Sequence, residues 1–147
     1  MTSDMPSPDI ESSIWIARPP QEIWNYVTDW SNEIQWRKGV IEAKWTSDPP
    51  HGVGSTGLHI VEDVGEVPWK VIEWEEPHNA SWEFTSGRAK GVHGGYRVAP
   101  EDTGSRVMIH TRAKRFSLMK IIMLIMKRSL NRQNTADLEK LKAIMEA

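Results

Sequence analysis

Cysteine is absent from the chain, which excludes disulfide frameworks, thiolate zinc sites and thiol nucleophiles. No stretch approaches the ~20 consecutive apolar residues of a membrane-spanning helix. Met1 to Pro8 is polar, holds two prolines and has no apolar h-region, so it does not read as a secretory signal; a cytoplasmic location is the expectation. Acidic residues are missing from residues 104–136, a stretch with 8 Lys/Arg and a net charge of +8, whereas residues 1–103 carry 8 Lys/Arg against 17 Asp/Glu, a net of −9. The whole chain is at −2, and its basic island is not interleaved with aromatics, which argues against a nucleic-acid partner. Catalytic signatures are missing too. There is no Gly-x-Ser-x-Gly elbow and no P-loop, and Gly52-Val53-Gly54 lacks the third glycine and the helix of a dinucleotide fingerprint. The five histidines, at 51, 59, 78, 93 and 110, show no metal-ligand spacing. No cofactor and no metal are expected.

Eight tryptophans stand against two tyrosines and two phenylalanines in 147 residues, a length with room for a single core. Residues 1–9 read as a flexible tail and 10–147 as one domain. Near the C-terminus Phe116, Met119, Met123, Met126, Leu130, Asn134, Leu138, Leu141 and Met145 recur every three or four residues, the stripe of one helix face. Such a helix, at roughly 1.5 Å per residue, is ~45 Å long and spans the domain. Leu118, Ile121 and Ile125 fall on the opposite side of its first turns, flanked by Lys120, Lys127 and Arg128. A helix apolar all round is usually buried, so other elements are expected to cover this back face.

Ahead of the helix, Ile10, Ser12, Ile14 and Ile16 alternate with polar residues or Trp15, a strand with one buried face. Pro19-Pro20 then opens a short helix with Ile23, Trp24 and Val27 on its apolar side, and Asp29, Ser31 and Asn32 offer caps for a second short helix ending near Trp36. Between Val40 and Arg112 five clusters of turn residues mark off six strands, which should pair as an antiparallel meander. Pro68 reads as the opening of a strand Trp69 to Trp74. Alternation places Trp82, Phe84, Val92, Gly94, Tyr96 and Val98 on inner faces. It also puts Leu58 and Ile60 inward, and hence His59 and His93 outward. The fold class is α+β, a sheet of about seven antiparallel strands with its helices segregated to one face.

The run Ile14-Trp15-Ile16-Ala17-Arg18-Pro19-Pro20-Gln21-Glu22-Ile23-Trp24, with Thr28-Asp29 and Trp36 after it, resembles the opening of the START-like (SRPBCC) superfamily of polyketide cyclases/dehydrases and lipid-transport proteins. His51-Gly52-Val53-Gly54-Ser55, Glu73-Trp74-Glu75-Glu76-Pro77, Thr103-Gly104-Ser105-Arg106-Val107 and Asp137-Leu138-Glu139-Lys140-Leu141-Lys142 are similar to later stretches of that family, in the same order. The resemblance implies a helix-grip fold, a sheet wrapped around the C-terminal helix with a deep apolar cavity between them. It further implies a lipid, sterol, hormone or polyketide ligand. One scaffold hosts carriers, receptors and enzymes, so the fold alone does not select the function.

Trp24, Trp36, Trp69, Trp74 and Trp82 are candidates to line that cavity, with core packing as the alternative for each. Trp36 is the strongest, because the resemblance puts it near the pocket mouth. Phe84, Tyr96, Met119, Met123, Met126 and Leu130 complete the expected lining. His59, His93 and Tyr96 are the candidate acid/base groups. Arg18, Arg88 and Arg97 are weaker candidates for an anionic head group, and Glu62 for an inward carboxylate. Three readings remain open: binding, transport or sequestration of a hydrophobic small molecule by a monomer or homodimer; an aromatase/cyclase or dehydratase; and contact with a membrane or partner through Leu118, Ile121 and Ile125.

Overall fold

The computed structural model describes residues 9–115 and 117–147; residues 1–8 of the expected tail, and Phe116 of the helix stripe, lie outside them. In chain order come β1 (Ile10–Ile16), α1 (Pro20–Val27), a 3-10 helix (Trp30–Gln35), β2 (Val40–Trp45), β3 (Thr56–Val61), β4 (Gly65–Glu75), β5 (Asn79–Phe84), β6 (His93–Glu101), β7 (Gly104–Arg112) and α2 (Leu118–Glu146). The seven strands form one antiparallel sheet in the order β1-β7-β6-β5-β4-β3-β2. This is the α+β helix-grip arrangement, a curved sheet with the long helix on its inner side.

Local chemistry accounts for the element ends. Pro20 occupies the first turn of α1, where a missing N–H costs nothing, and the Asp29 carboxylate accepts from the Ser31 N–H (3.3 Å) to cap the 3-10 helix. The Ser117 hydroxyl accepts from the Lys120 N–H (3.1 Å) at the start of α2. Pro68 lies inside β4 rather than at its start. Its carbonyl accepts from Thr85 N (3.0 Å), so its absent N–H also faces the β5 side, one step beyond the last paired residues Trp69 and Phe84. The ladder to β3 is therefore untouched.

Two bulges set the faces of the sheet. In β4 the register shifts between Val71 and Glu73, so Trp69 and Val71 before the extra residue, and Trp74 after it, all face inward. A similar shift between Val40 and Glu42 leaves Ile41 exposed on β2. On β3 the expected facing is reversed: His59 and Gly57 are the inward, buried residues, while Leu58 and Ile60 lie half-buried on the outer side. Hydrophobic alternation misleads here because Trp69 lies against the Gly57 backbone. A Cβ at Gly57 would sit 2.1 Å from Trp69 Cζ2, so the inner surface of β3 has no room there for a larger side chain. Glu62 is exposed in the turn after β3, not directed inward.

Helix α2 packs chiefly along the edge strand β1. Ser12 Oγ donates to Asn131 Oδ1 (2.8 Å), Lys142 Nζ to the Trp15 carbonyl (2.7 Å), and Ala17 N to Glu146 Oε2 (2.8 Å), so strand and helix run in the same direction. Its second half buries Asn134, Asp137, Leu138 and Leu141. In its first half only Met123 is buried, in a small cluster with Ile10, Ala113, Met119 and Leu130. Met126, expected in the stripe, is 45% exposed, and the expected cover over Leu118, Ile121 and Ile125 does not exist among the described residues: all three are exposed. With β1 at the sheet edge, the first turns of α2 have a neighbour on one side only.

Gly57→Ala should cost roughly 1–3 kcal/mol through overpacking against an indole that has nowhere to go, measured as a lower urea midpoint. On the outer face, His110 lies against Gly95. Burial first, then Arg97, Arg112 and His93, push its imidazole down to about 4 from the ordinary 6.5. The unfolded chain then takes up a proton that the folded one refuses, so this contribution is complete above pH 6.5 and declines as pH falls toward 4, by on the order of 3 kcal/mol. His110→Leu should flatten that limb of a stability–pH profile.

Candidate functional site

The interior between the sheet and the helices is filled by an aromatic cage. Trp30 is at its centre, its ring centroid 5.1 Å from Trp69, 5.2 Å from Trp82, 5.7 Å from Trp45 and from His59, and 6.1 Å from Tyr96. Most of these contacts are edge-to-face, the geometry that the ring quadrupole favours. Trp24 meets Trp74 at 4.9 Å, and His51 stacks on Trp45 at 3.8 Å. Trp36 is fully buried, 5.5 Å from Tyr96. A 3-10 helix repeats every three residues, so Trp30, Glu33 and Trp36 share one face and enter the core together.

Glu33 is thereby carried into the cage, where it is 2% exposed. His59 Nε2 lies 2.6 Å from Glu33 Oε2, the Tyr96 hydroxyl donates to Oε1, and Trp69 Nε1 donates to His59 Nδ1 (2.6 Å). An indole N–H can only donate, so Nδ1 is the acceptor and the ring's proton is on Nε2, facing the carboxylate. Burial pushes the Glu33 carboxyl up, but the hydrogen bond from His59, then the Arg37 charge and the Tyr96 hydroxyl, outweigh it and hold the group below its ordinary range. Tyr96 is driven far up by burial and by Glu33. Arg37 Nε is 3.7 Å from Asp137 Oδ2, and Asp137 Oδ1 accepts from Lys38 N (3.3 Å). One polar chain thus ties the 3-10 helix to β3, β4, β6 and α2. In its Glu33, His59, Trp69 and Tyr96 part the donors and acceptors are spent on one another, so the His59 lone pair is not free to take a substrate proton.

Open space lies elsewhere. A cleft of about 1270 Å³ sits where β5 and β7 finish, β6 begins and the chain passes into α2. Glu83, His93 and Arg112, neighbours across the strands, form one side; Lys114, Lys120 and Ile121 form the other. Arg112 reaches His93 Nδ1 (2.6 Å). Burial, then the Arg112 charge, depress the His93 imidazole, against the opposing pull of Glu83. Asp9 fixes the far wall: its carboxylate accepts from Ala113 N (2.7 Å) and from Lys120 Nζ (2.6 Å). With Lys90 and Arg115 also lining it, the cleft has five cationic side chains against the Glu83 carboxylate, and of the five Lys120 is already paired with Asp9.

A model of the family described as polyketide cyclase / dehydrase and lipid transport matches residues 7–146. The chain belongs to that family. No curated protein sequence matches it. Among solved structures, a protein of Bacillus halodurans is similar at 17% identity over 95% of this chain and 97% of its own (TM-score 0.69). One from Thermobifida fusca is similar at 17% over 90% and 89% (TM-score 0.69), and the Aha1 dimer from Colwellia psychrerythraea at 17% over 93% and 95% (TM-score 0.64). These likenesses concern the fold.

Against this family background, the residues singled out in the sequence divide three ways. Trp24, Trp36, Trp69, Trp74, Trp82, Phe84 and Tyr96 are brought together as the cage and its wall. Met119, Met123 and Leu130 meet in the small cluster by Ile10, apart from the cage. His59 and Tyr96 converge on Glu33, whereas His93 lines the cleft. Arg18 pairs with Glu22 (3.6 Å), and Arg88 and Arg97 are exposed. Among the described residues no group of three or more His, Cys, Asp or Glu is placed to hold a metal. Glu33 and Arg37 escaped notice in the sequence, and Asp137 was read only as part of a family-like stretch. The signal for Glu33 was there, as a carboxylate midway between two tryptophans at a spacing of three.

Because the Glu33 carboxyl is held below the ordinary 4.5, its contribution is complete above that pH and is lost as pH falls through the depressed folded value. Glu33→Gln should lose about 3–5 kcal/mol at neutral pH and converge with the wild type in acid, and Tyr96→Phe about 1–3 kcal/mol; denaturant titrations across the pH range read both.

Proposed function

We propose that this protein is a non-catalytic carrier or binder of a hydrophobic small molecule bearing an anionic group, held in the cleft between the ends of β5–β7 and the start of α2. The observation that carries this reading is the lining of the cleft: Ala113 and Ile121 supply apolar wall, and five cations line it against Glu83 and against Asp9, which pairs with Lys120. A cleft of this size is of the order that small-molecule sites need, and pockets of this kind fix orientation with a few polar groups. Guanidinium and ammonium groups select carboxylate, sulfate or phosphate heads. Membership in a family of polyketide cyclases/dehydrases and lipid-transport proteins supports a hydrophobic ligand. Non-catalytic binding is favoured because the buried acid/base constellation of Glu33 with His59 and Tyr96 is internally satisfied and enclosed by tryptophans.

A second reading, a cyclase or dehydratase, is supported by that same convergence of a carboxylate, an imidazole and a phenol. It requires the cage to open so that a substrate displaces Trp69 from His59 Nδ1. Under this reading His59→Gln abolishes turnover of a polyketide-like substrate; under the first it affects stability only.

A fluorescent long-chain fatty acid should bind the delipidated protein, and its uncharged methyl ester should bind about tenfold more weakly or worse. The double variant Lys90→Glu/Lys114→Glu should lose that discrimination. Equal binding of acid and ester, or binding of neither, would sink the proposal.

A further inference from the structure

The first turns of α2 present an apolar surface that nothing among the described residues covers. Leu118 is 73% exposed, Ile121 55% and Ile125 78%, with Ile122 and Leu124 beside them. At 100° per residue Leu118, Ile121, Ile122 and Ile125 fall within about 100° of arc, a continuous stripe. A stripe of this kind on a folded domain marks a contact surface. Around it stand Lys114, Arg115, Arg128 and Arg132, all exposed, and no acidic residue occurs between 104 and 136.

Charge decides the occupant. A second copy docking face to face through a two-fold axis would set this patch against itself, bringing two acid-free cationic segments together with nothing to neutralise them. A bilayer surface rich in anionic lipid offers both complements at once: acyl chains for the isoleucines and leucines, phosphate and carboxylate for the basic collar. Lys120 and Ile121 border the cleft as well as the stripe, so the apolar face and the cleft mouth adjoin. We infer that the first two turns of α2 dock this protein on anionic membrane surfaces, with Leu118, Ile121, Ile122 and Ile125 dipping into the interface and Arg128 and Arg132 meeting head groups. No helix among the described residues is long and apolar enough to cross a membrane, and the contact inferred is peripheral.

The test is sedimentation with sucrose-loaded vesicles, either phosphatidylcholine alone or phosphatidylcholine mixed with phosphatidylserine. The wild type should sediment with the mixed vesicles and not with the neutral ones, and added salt should release it. Ile122→Glu/Ile125→Glu, which leaves the cleft wall intact, should weaken binding by about a hundredfold and Arg128→Glu/Arg132→Glu by about tenfold. All four positions are exposed, and an unchanged thermal midpoint confirms that the variants fold. Absence of vesicle binding, equal binding to neutral vesicles, or full binding by the isoleucine variant overturns the inference. So does a dimer in analytical ultracentrifugation that Ile125→Glu dissolves, since a second copy would then cover the face. Fatty-acid binding by the isoleucine variant in free solution separates this outcome from the fate of the carrier reading.

Discussion

The structure depends on an ionised carboxylate placed where water cannot reach it. A buried charge that loses its partners costs several kcal/mol, and Glu33 is tolerable because an imidazole N–H and a phenol O–H point at its two oxygens with the Arg37 charge nearby. Each of those groups is on a different element. Satisfying one side chain therefore sets where the 3-10 helix sits relative to β3 and β6, and through Arg37 and Asp137 relative to α2. Tryptophans around the cluster do the complementary work: they supply apolar burial and exclude the water that would otherwise compete for the carboxylate.

Much of the fold was legible in the sequence. Turn chemistry separated the six strands after Val40, Pro19-Pro20 and Asp29 marked the short helices, and the period of the stripe marked α2. What failed were facings that depend on a partner elsewhere in the chain. Leu58 and Ile60 looked like the inner residues of β3 by hydrophobicity alone, yet His59 is inward, because a carboxylate 26 residues earlier meets it and Trp69 leaves space there only for glycine. Periodicity reports burial along one strand and does not know what the opposite element supplies. Likewise the stripe on α2 continued to Met126 on paper, although the sheet edge removes its partner.

The resemblance to a lipid-transport family led to the expectation of a deep apolar cavity, and the tryptophans expected to line it form an aromatic cage. Indoles that were read as cavity wall are packed against one another. The open volume has moved to the rim, where the sheet ends and α2 begins, and there the chemistry is cationic. The two halves of α2 accordingly have different duties: Leu138 and Leu141 belong to the main core, whereas the first turns face the cleft on one side and solvent on the other.

The extra residue in β4 has a further meaning. A regular strand offers the interior every second position, so its odd and even residues belong to opposite sides for its whole length. Ile72 changes that parity midway, letting an odd-numbered Trp69 and an even-numbered Trp74 serve the same wall. Aromatic density inside the grip is thus not capped by strand length. A chain of this fold that lacked the insertion would have to carry its second indole one place away in sequence to build the same surface.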